Sequence, residues 1–310
     1  MKRIQYESYG GPEVMQIDAF NLPIPGNGEV AVRVKFAAIN PIDWKLRKGQ
    51  MKIVTGQKFP RAMGMDFSGT VMSVGPDVLR LKVGDPVFGL ARFKQSGAFG
   101  QAVITKEAFL AHKPDDISFE AAACLGTPGV TAWNGLIDKA KVQAGQHVFV
   151  NGCAGAVGEA AVQVALMHGA AVSGSCSAKD IQRAQSLGVE TVYDYRHTPI
   201  SRIATRFDVV YDTAATLPVS TGIAMLRAKG VFLDLNPSLG KFIRAIFDHR
   251  LKPIVASPRA EILESLGESA SKGSFRIPFE KIVCLTDAIE LIGELENGRK
   301  LGGKALISME

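Results

Sequence analysis

The run Val148-Phe149-Val150-Asn151-Gly152-Cys153-Ala154-Gly155-Ala156-Val157-Gly158 decides how the rest of the chain reads. Three apolar residues make a short buried strand, the glycines make a turn, and Val157, Ala161, Val164, Ala165 and His168 then follow at helical spacing. A strand, a glycine turn and an amphipathic helix in that order form an anion site. Glycine lets the backbone approach a pyrophosphate and lets helix and strand pack closely, while the helix N-terminus offers free N–H groups and a positive dipole. The strict G-x-G-x-x-G spacing fails at its first position, where Cys153 stands, so the motif is Gly152-x-x-Gly155-x-x-Gly158. Such a turn can be purely structural. Within a βαβ unit, however, it predicts a dinucleotide.

Working outward, candidate strands fall at 147–151, 171–176, 191–193, 208–211, 230–235 and 251–256 with helical segments between them, which argues a doubly wound parallel sheet. Before about residue 120 the texture differs: short β-like runs such as Val30–Phe36 and Gly69–Gly75 are punctuated by turn signals such as Pro25-Gly26-Asn27-Gly28 and Val83-Gly84-Asp85-Pro86. After 257 the texture is mixed, with a helix near Leu285–Glu296 and a closing strand over Lys304–Ser308.

At 310 residues the chain exceeds the size at which one core usually stops growing, about 250–300 residues, so two domains are expected. Hydrophobic residues at 46% and charged residues at 21% fit a globular protein. The polar start and the lack of an apolar run of spanning length lead us to expect a cytoplasmic protein with no membrane partner. Cys124, Cys153, Cys176 and Cys284 lack CxxC spacing, which speaks against a disulfide framework or a zinc ribbon. The net charge of +6 is spread among interleaved acids and bases without a basic run, so no nucleic-acid partner is expected.

The strand that follows the glycine helix ends Val172-Ser173-Gly174-Ser175-Cys176-Ser177. An NAD-specific site would carry an Asp or Glu near that point to grip the ribose 2′-hydroxyl. Here Ser177 is followed by Lys179 and Arg183, which suit a 2′-phosphate, so NADPH is expected over NADH. The one acid nearby, Asp180, reads as part of a capping box begun by Ser177. The plainer reading of Lys179 and Arg183 is as solvated helix charges.

With these residues in place the chain resembles the medium-chain dehydrogenases/reductases that lack zinc, the quinone oxidoreductase (ζ-crystallin-like) and alkenal/enone reductase group. The resemblance rests on Gly10–Met15, Ala37–Asp43, Met63–Gly69, Val83–Phe88 and the glycine turn, in the family's order. It implies a Rossmann domain, at 123–257, inserted into a GroES-like β-barrel catalytic domain made of 1–122 and 258–310. It further implies an NADPH-dependent reductase that transfers a hydride to a quinone or an α,β-unsaturated carbonyl compound. Relatives with zinc carry a cysteine where Asn40 stands and Gly-His-Glu where Gly64-Met65-Asp66 stands, and Asn40 and Met65 are poor Zn²⁺ ligands, so no zinc is expected.

Carried over by motif, Asn40, Lys45 and Thr127 would lie by the nicotinamide end of the cofactor, and Ala156 and Val157 on the glycine turn. Ser177 and Lys179 would hold the 2′-phosphate, with Tyr195 flanking it or the adenine. Leu235, Asn236 and Pro237 would line the nicotinamide pocket, and Gly303 and Lys304 the closing cofactor-side turn. Plainer roles stay open: Tyr195 as core packing, Asn40 as a turn former before Pro41, and Thr127 as a helix cap. Gly97-Ala98-Phe99-Gly100-Gln101 departs from the tyrosine or glutamate usual in relatives, which leaves substrate choice open. Hydride transfer needs no side-chain nucleophile, and Asn40, Lys45 or the cofactor's ribose hydroxyl would serve the acceptor oxygen, with Asp43 as a proton relay. Two rival readings are a non-catalytic NADPH-binding sensor or structural protein, and a zinc-type alcohol dehydrogenase. Relatives in the group form homodimers through sheet edges, and Gly230–Leu233 reads equally as such an edge or as an interior strand.

Overall fold

The computed structural model describes residues Met1–Met309. By packing, the chain forms two units: Met1–Thr127 together with the segment from Pro258 onward, and Pro128–Ser257.

The second unit is a six-stranded, wholly parallel sheet. Its strands lie in the order Thr191–Asp194, Ala171–Cys176, His147–Asn151, Phe207–Asp212, Leu226–Asp234, Leu251–Pro253. The chain winds outward in one direction from His147–Asn151 and then returns to its other side at Phe207–Asp212. The winding reverses there, and the carboxyl end of such a switch point is where ligands of open α/β sheets sit. Val148, Phe149 and Val150 are fully buried, as expected for a strand covered on both faces. Phe149, Phe207 and Phe232 anchor the core on one side. The helix Ala156–Met167 packs through small residues, Ala160, Ala161 and Ala165, which allow close approach to the sheet. Gly230–Leu233 belongs to an interior strand, paired on both sides; the outer strands are Thr191–Asp194 and Leu251–Pro253.

The first unit is β-rich. One sheet runs Phe279–Cys284, Lys304–Ser308, Glu29–Ala38, Asp66–Val74, Pro86–Leu90, Leu110–His112, with Ala102–Lys106 also paired to Glu29–Ala38. A smaller sheet joins Met15–Ala19, Lys2–Tyr6 and Arg61–Ala62. The closing strand is therefore interior, parallel to Phe279–Cys284 on one side and antiparallel to Glu29–Ala38 on the other. Its core gathers Ile4, Val30, Val32, Phe67, Phe99, Leu291 and Ile307. The domain boundary expected after residue 122 falls later, at Thr127. The helix Phe119–Ala123 packs on strands of this unit, with Ser68 Oγ donating to Phe119 O at 2.6 Å, and Thr127 is itself bonded to Asp66. Among the described residues no helix is long and apolar enough to cross a membrane.

Candidate functional site

In the first unit the antiparallel register sets the site. Ala38 pairs with Asp66 and with Leu306, so the two residues beyond Ala38 bring Asn40 level with Lys304. Asp66, fully buried at the start of its strand, holds the group together. Its Oδ1 accepts from Thr127 N at 2.9 Å and Thr127 Oγ1 at 2.5 Å, and its Oδ2 accepts from Asn40 Nδ2 at 3.0 Å. Lys304 Nζ donates to Asn40 Oδ1 at 2.5 Å and lies 3.6 Å from Asp66 Oδ2. Asn40 also caps the helix Pro41–Arg47, its backbone N–H donating to Asp43 Oδ2 at 2.8 Å. Four expected site residues, Asn40, Asp43, Thr127 and Lys304, thus share one buried network. Asp66, which joins them, enters the sequence analysis only within the motif Met63–Gly69. Its one signal is that it is the only acid in its strand, Asp66–Val74.

Burial sets the titration of these groups. It pushes the Asp43 carboxyl up to about 8, with the nearby Asp66 adding to the rise and the Asn40 N–H opposing it. Asp66 also moves up through burial, against the pull of the Lys304 ammonium. At neutral pH the network then carries a neutral acid at Asp43, near the Lys304 Nζ that lies 3.6 Å from Asp66 Oδ2. Lys45, on the same short helix, is half-buried and stands outside the network. Gly303 is a packing glycine, since a Cβ there would meet Pro278 O at 2.8 Å. Asn40, Met65 and Asp66 with a buried ammonium beside them do not fit a Zn²⁺ ion, which would be repelled by Lys304.

In the second unit the turn after His147–Asn151 has the geometry of a phosphate cradle. Gly152 adopts φ +84°, which favours glycine, and a Cβ on Gly158 would stand 2.0 Å from Gly152 O. These two glycines are required by the fold. Gly155 differs: its φ is −84°, it is exposed, and a Cβ there would meet only Gly152 O at 3.5 Å. It begins the helix Ala156–Met167 with no side-chain cap, so the N–H groups of the first turn, at Ala156, Val157 and Gly158, have no partner within the helix. Beneath the turn, Asn151 Nδ2 donates to Asp212 Oδ1 at 2.7 Å and Ser175 Oγ donates to Asn151 Oδ1 at 2.6 Å, which fixes the ends of three adjacent strands.

The expected 2′-phosphate residues are arranged differently from the sequence reading. Ser177 forms no capping box; its hydroxyl donates to the Asp180 carboxylate at 2.5 Å instead of accepting from the backbone. Burial raises Asp180, but Ser177 and Arg183 more than offset this and hold it below the usual carboxylate range. Arg183 is engaged by carboxylates: Nη1 lies 2.6 Å from Glu159 Oε1, and Nη2 reaches Asp180 Oδ1 at 3.1 Å and Ala154 O at 2.8 Å. It ties the helix Ile181–Ser186 back to the glycine turn. Lys179 is exposed. Tyr195 is 44% exposed, so it is not core packing. Leu235, Asn236 and Pro237 follow the strand Leu226–Asp234, where Asn236 N donates to Asp234 Oδ1 at 2.7 Å.

Known proteins share both units. Residues 26–115 match the alcohol dehydrogenase GroES-like domain family, and residues 156–234 match the zinc-binding dehydrogenase family. The chain is 30% identical to the quinone-oxidoreductase homolog of Spinacia oleracea, over 76% of this chain and 75% of that protein. It is 34% identical to the NADPH-dependent alkenal/one oxidoreductase of Arabidopsis thaliana, over 68% of this chain and 57% of that protein. The solved structure of the quinone oxidoreductase from Coxiella burnetii superposes with a TM-score of 0.89 at 28% identity, covering 100% of this chain and 99% of that one. Together with the strand order around the glycine turn, these matches identify an oxidoreductase that belongs to the medium-chain dehydrogenase/reductase family, in its quinone oxidoreductase group.

Proposed function

We propose that this oxidoreductase is an NADPH-dependent, zinc-independent reductase of a quinone or an α,β-unsaturated carbonyl compound. The observation that carries the reading is the uncapped helix start at Gly155, set at the switch point of the parallel sheet. NADPH would be held by the first-turn N–H groups of Ala156, Val157 and Gly158, and by Ser177 and Lys179 at its 2′-phosphate. Bound there, it supplies hydride. The chain's own residues supply charge and protons. Lys304 keeps a donor in a buried, low-dielectric setting, where it stabilises negative charge better than it would in water. Asn40 orients that ammonium, and Asp66 orients Asn40 and Thr127. Asp43, neutral near pH 7, can release a proton into the same network. The Lys304 ammonium favours chemistry without a metal, since it answers the charge that a Lewis acid would otherwise answer.

The test is direct. Purified protein treated with a chelator is titrated with NADPH and NADH, and NADPH consumption is then followed with a naphthoquinone, a 2-alkenal, and an alcohol with NADP⁺ as control. Turnover of one of the first two is expected, with none of the alcohol. Binding without turnover would favour a sensor, and no affinity for either dinucleotide would overturn the reading.

A further inference from the structure

Cys153 stands inside the glycine turn, and its side chain lies against the neighbouring strand Ala171–Cys176. Its backbone N–H donates to Ser175 O at 3.0 Å, and a Cβ built on Gly174 would stand 2.7 Å from Cys153 Cβ and 2.8 Å from its Sγ. The thiol thus fills the place of the side chain that Gly174 lacks. Residues two apart on a strand share a face, so Cys176 lies on the face that Cys153 covers. There the two thiols meet in a hydrogen bond. Cys153 is the donor: that bond and burial push its thiol up. The same bond, aided by Arg183, holds Cys176 below the ordinary thiol value against burial and the Asp180 and Asp194 carboxylates. Cys153 is sealed from solvent, whereas Cys176, the last residue of its strand, keeps 4% exposure beside Ser177. Cys124 and Cys284 belong to the other unit, and the proposed hydride transfer uses none of the four.

We propose that Cys153 and Cys176 are a redox pair that a hydroperoxide converts to a disulfide, which pins the glycine turn to the adjacent strand end and lowers the affinity for the dinucleotide. Cys176 is the nucleophile, since it is the more acidic thiol and the one that solvent reaches. Its thiolate attacks one peroxide oxygen: an S–O bond forms, the O–O bond breaks, and the hydroxide that leaves takes up the proton Cys176 gave. Cys153 then attacks the Cys176 sulfur while its own proton passes to the departing hydroxide, so the S–S bond forms, the S–O bond breaks and water leaves. Two thiols are oxidised and hydrogen peroxide is reduced to two waters. A bond of about 2.05 Å replaces a hydrogen bond, so the sulfurs draw together and the backbone on each side follows. The turn has little slack, because Gly152 already holds φ +84° and Gly158 abuts Gly152 O. The displacement therefore reaches Gly155 and the first-turn N–H groups beyond it. This effect on affinity rests on the nucleotide site proposed for that turn; formation of the bridge does not.

Peptide mapping without reductant reads the bridge in the full chain, free of nucleotide. After hydrogen peroxide we expect one peptide pair joined through Cys153 and Cys176 and released by dithiothreitol, with free thiols falling from four to two. Both thiols left free, Cys176 carried to sulfinic acid beside an unmodified Cys153, or bridges confined to Cys124 or Cys284 would each overturn the proposal. Cys153→Ser removes the second thiol, so dimedone should then trap a sulfenic acid at Cys176; a folded variant that traps none would overturn the order of attack. Titration of oxidised and re-reduced wild type with NADPH reads the consequence. Affinity should fall by about tenfold or more, the loss of one hydrogen bond to a charged group, and return with reductant. Equal affinity in the two forms would overturn the control of binding. No affinity even in the reduced form would sink the nucleotide site itself, and the mapped bridge would tell that failure apart.

Discussion

Asp43 makes the first unit sensitive to alkali. Its carboxyl ionises near 4 in the unfolded chain and about 8 in the folded one, so the folded state holds the proton that the unfolded state has lost. The stability this gives is complete below about pH 4 and is lost as pH rises to 8, by at most about 1.4 kcal/mol per pH unit. Asp43→Asn, which keeps an acceptor for Asn40 N, should flatten that fall. Urea midpoints at pH 6 and pH 8.5 should then differ less than in the wild type; an equal fall would assign the effect elsewhere. In the second unit, Lys179→Ala should weaken NADPH on the order of tenfold and leave NADH unchanged, as befits one charge-assisted bond. Asp180→Ala should act oppositely, since it frees the Ser177 hydroxyl and removes a like charge from a phosphate; calorimetric titration of both nucleotides checks the pair. Lys179 is proposed for the phosphate because it follows a strand end where an acid is expected. Asp66 was not readable as a hub, because its partners stand at 40, 127 and 304 and only strand register brings them together.

The glycine turn separates what folding needs from what binding needs. Gly158→Ala places a methyl against Gly152 O and should cost about 1–3 kcal/mol, seen as a lower thermal midpoint. Gly155→Ala has room and an ordinary φ, so the midpoint should hold while NADPH affinity falls by roughly tenfold or more, because the methyl stands where a pyrophosphate must approach. Loss of stability without loss of affinity at Gly155 would reverse the assignment. Elements of the parallel unit were legible because strand and helix periods alternate: 147–151 and 171–176 fall where expected, and Lys304–Ser308 likewise. The helix expected near Leu285–Glu296 begins at Ala288, after a single tight turn. The β-rich unit was less legible, since its short strands carry no mark of their neighbours. Leu239–Phe247 shows the limit of periodicity: Leu239, Phe242, Ile243, Ile246 and Phe247 recur at helical spacing, yet all five are exposed while Lys241 lies beside Asp234.

At the scale of the whole molecule, the proposed cofactor residues of the glycine turn and of Ser177–Lys179 all fall in Pro128–Ser257. Saturation at one hundred times Kd should add about 2.7 kcal/mol to the stability of that unit. Amide exchange followed by mass spectrometry should slow there on adding NADPH, most of all over the first turn of Ala156–Met167; slowing confined to the first unit would place the nucleotide elsewhere. The β-rich unit is assembled from both flanks of the chain, and its strand Lys304–Ser308 lies in the middle of a sheet. During synthesis, the parallel unit can finish before Lys304–Ser308 is made, whereas its companion waits with a gap between Glu29–Ala38 and Phe279–Cys284 until that strand emerges. A chain cut short after Gly298 would therefore keep one sound half and one open sheet, a ready substrate for quality-control proteases.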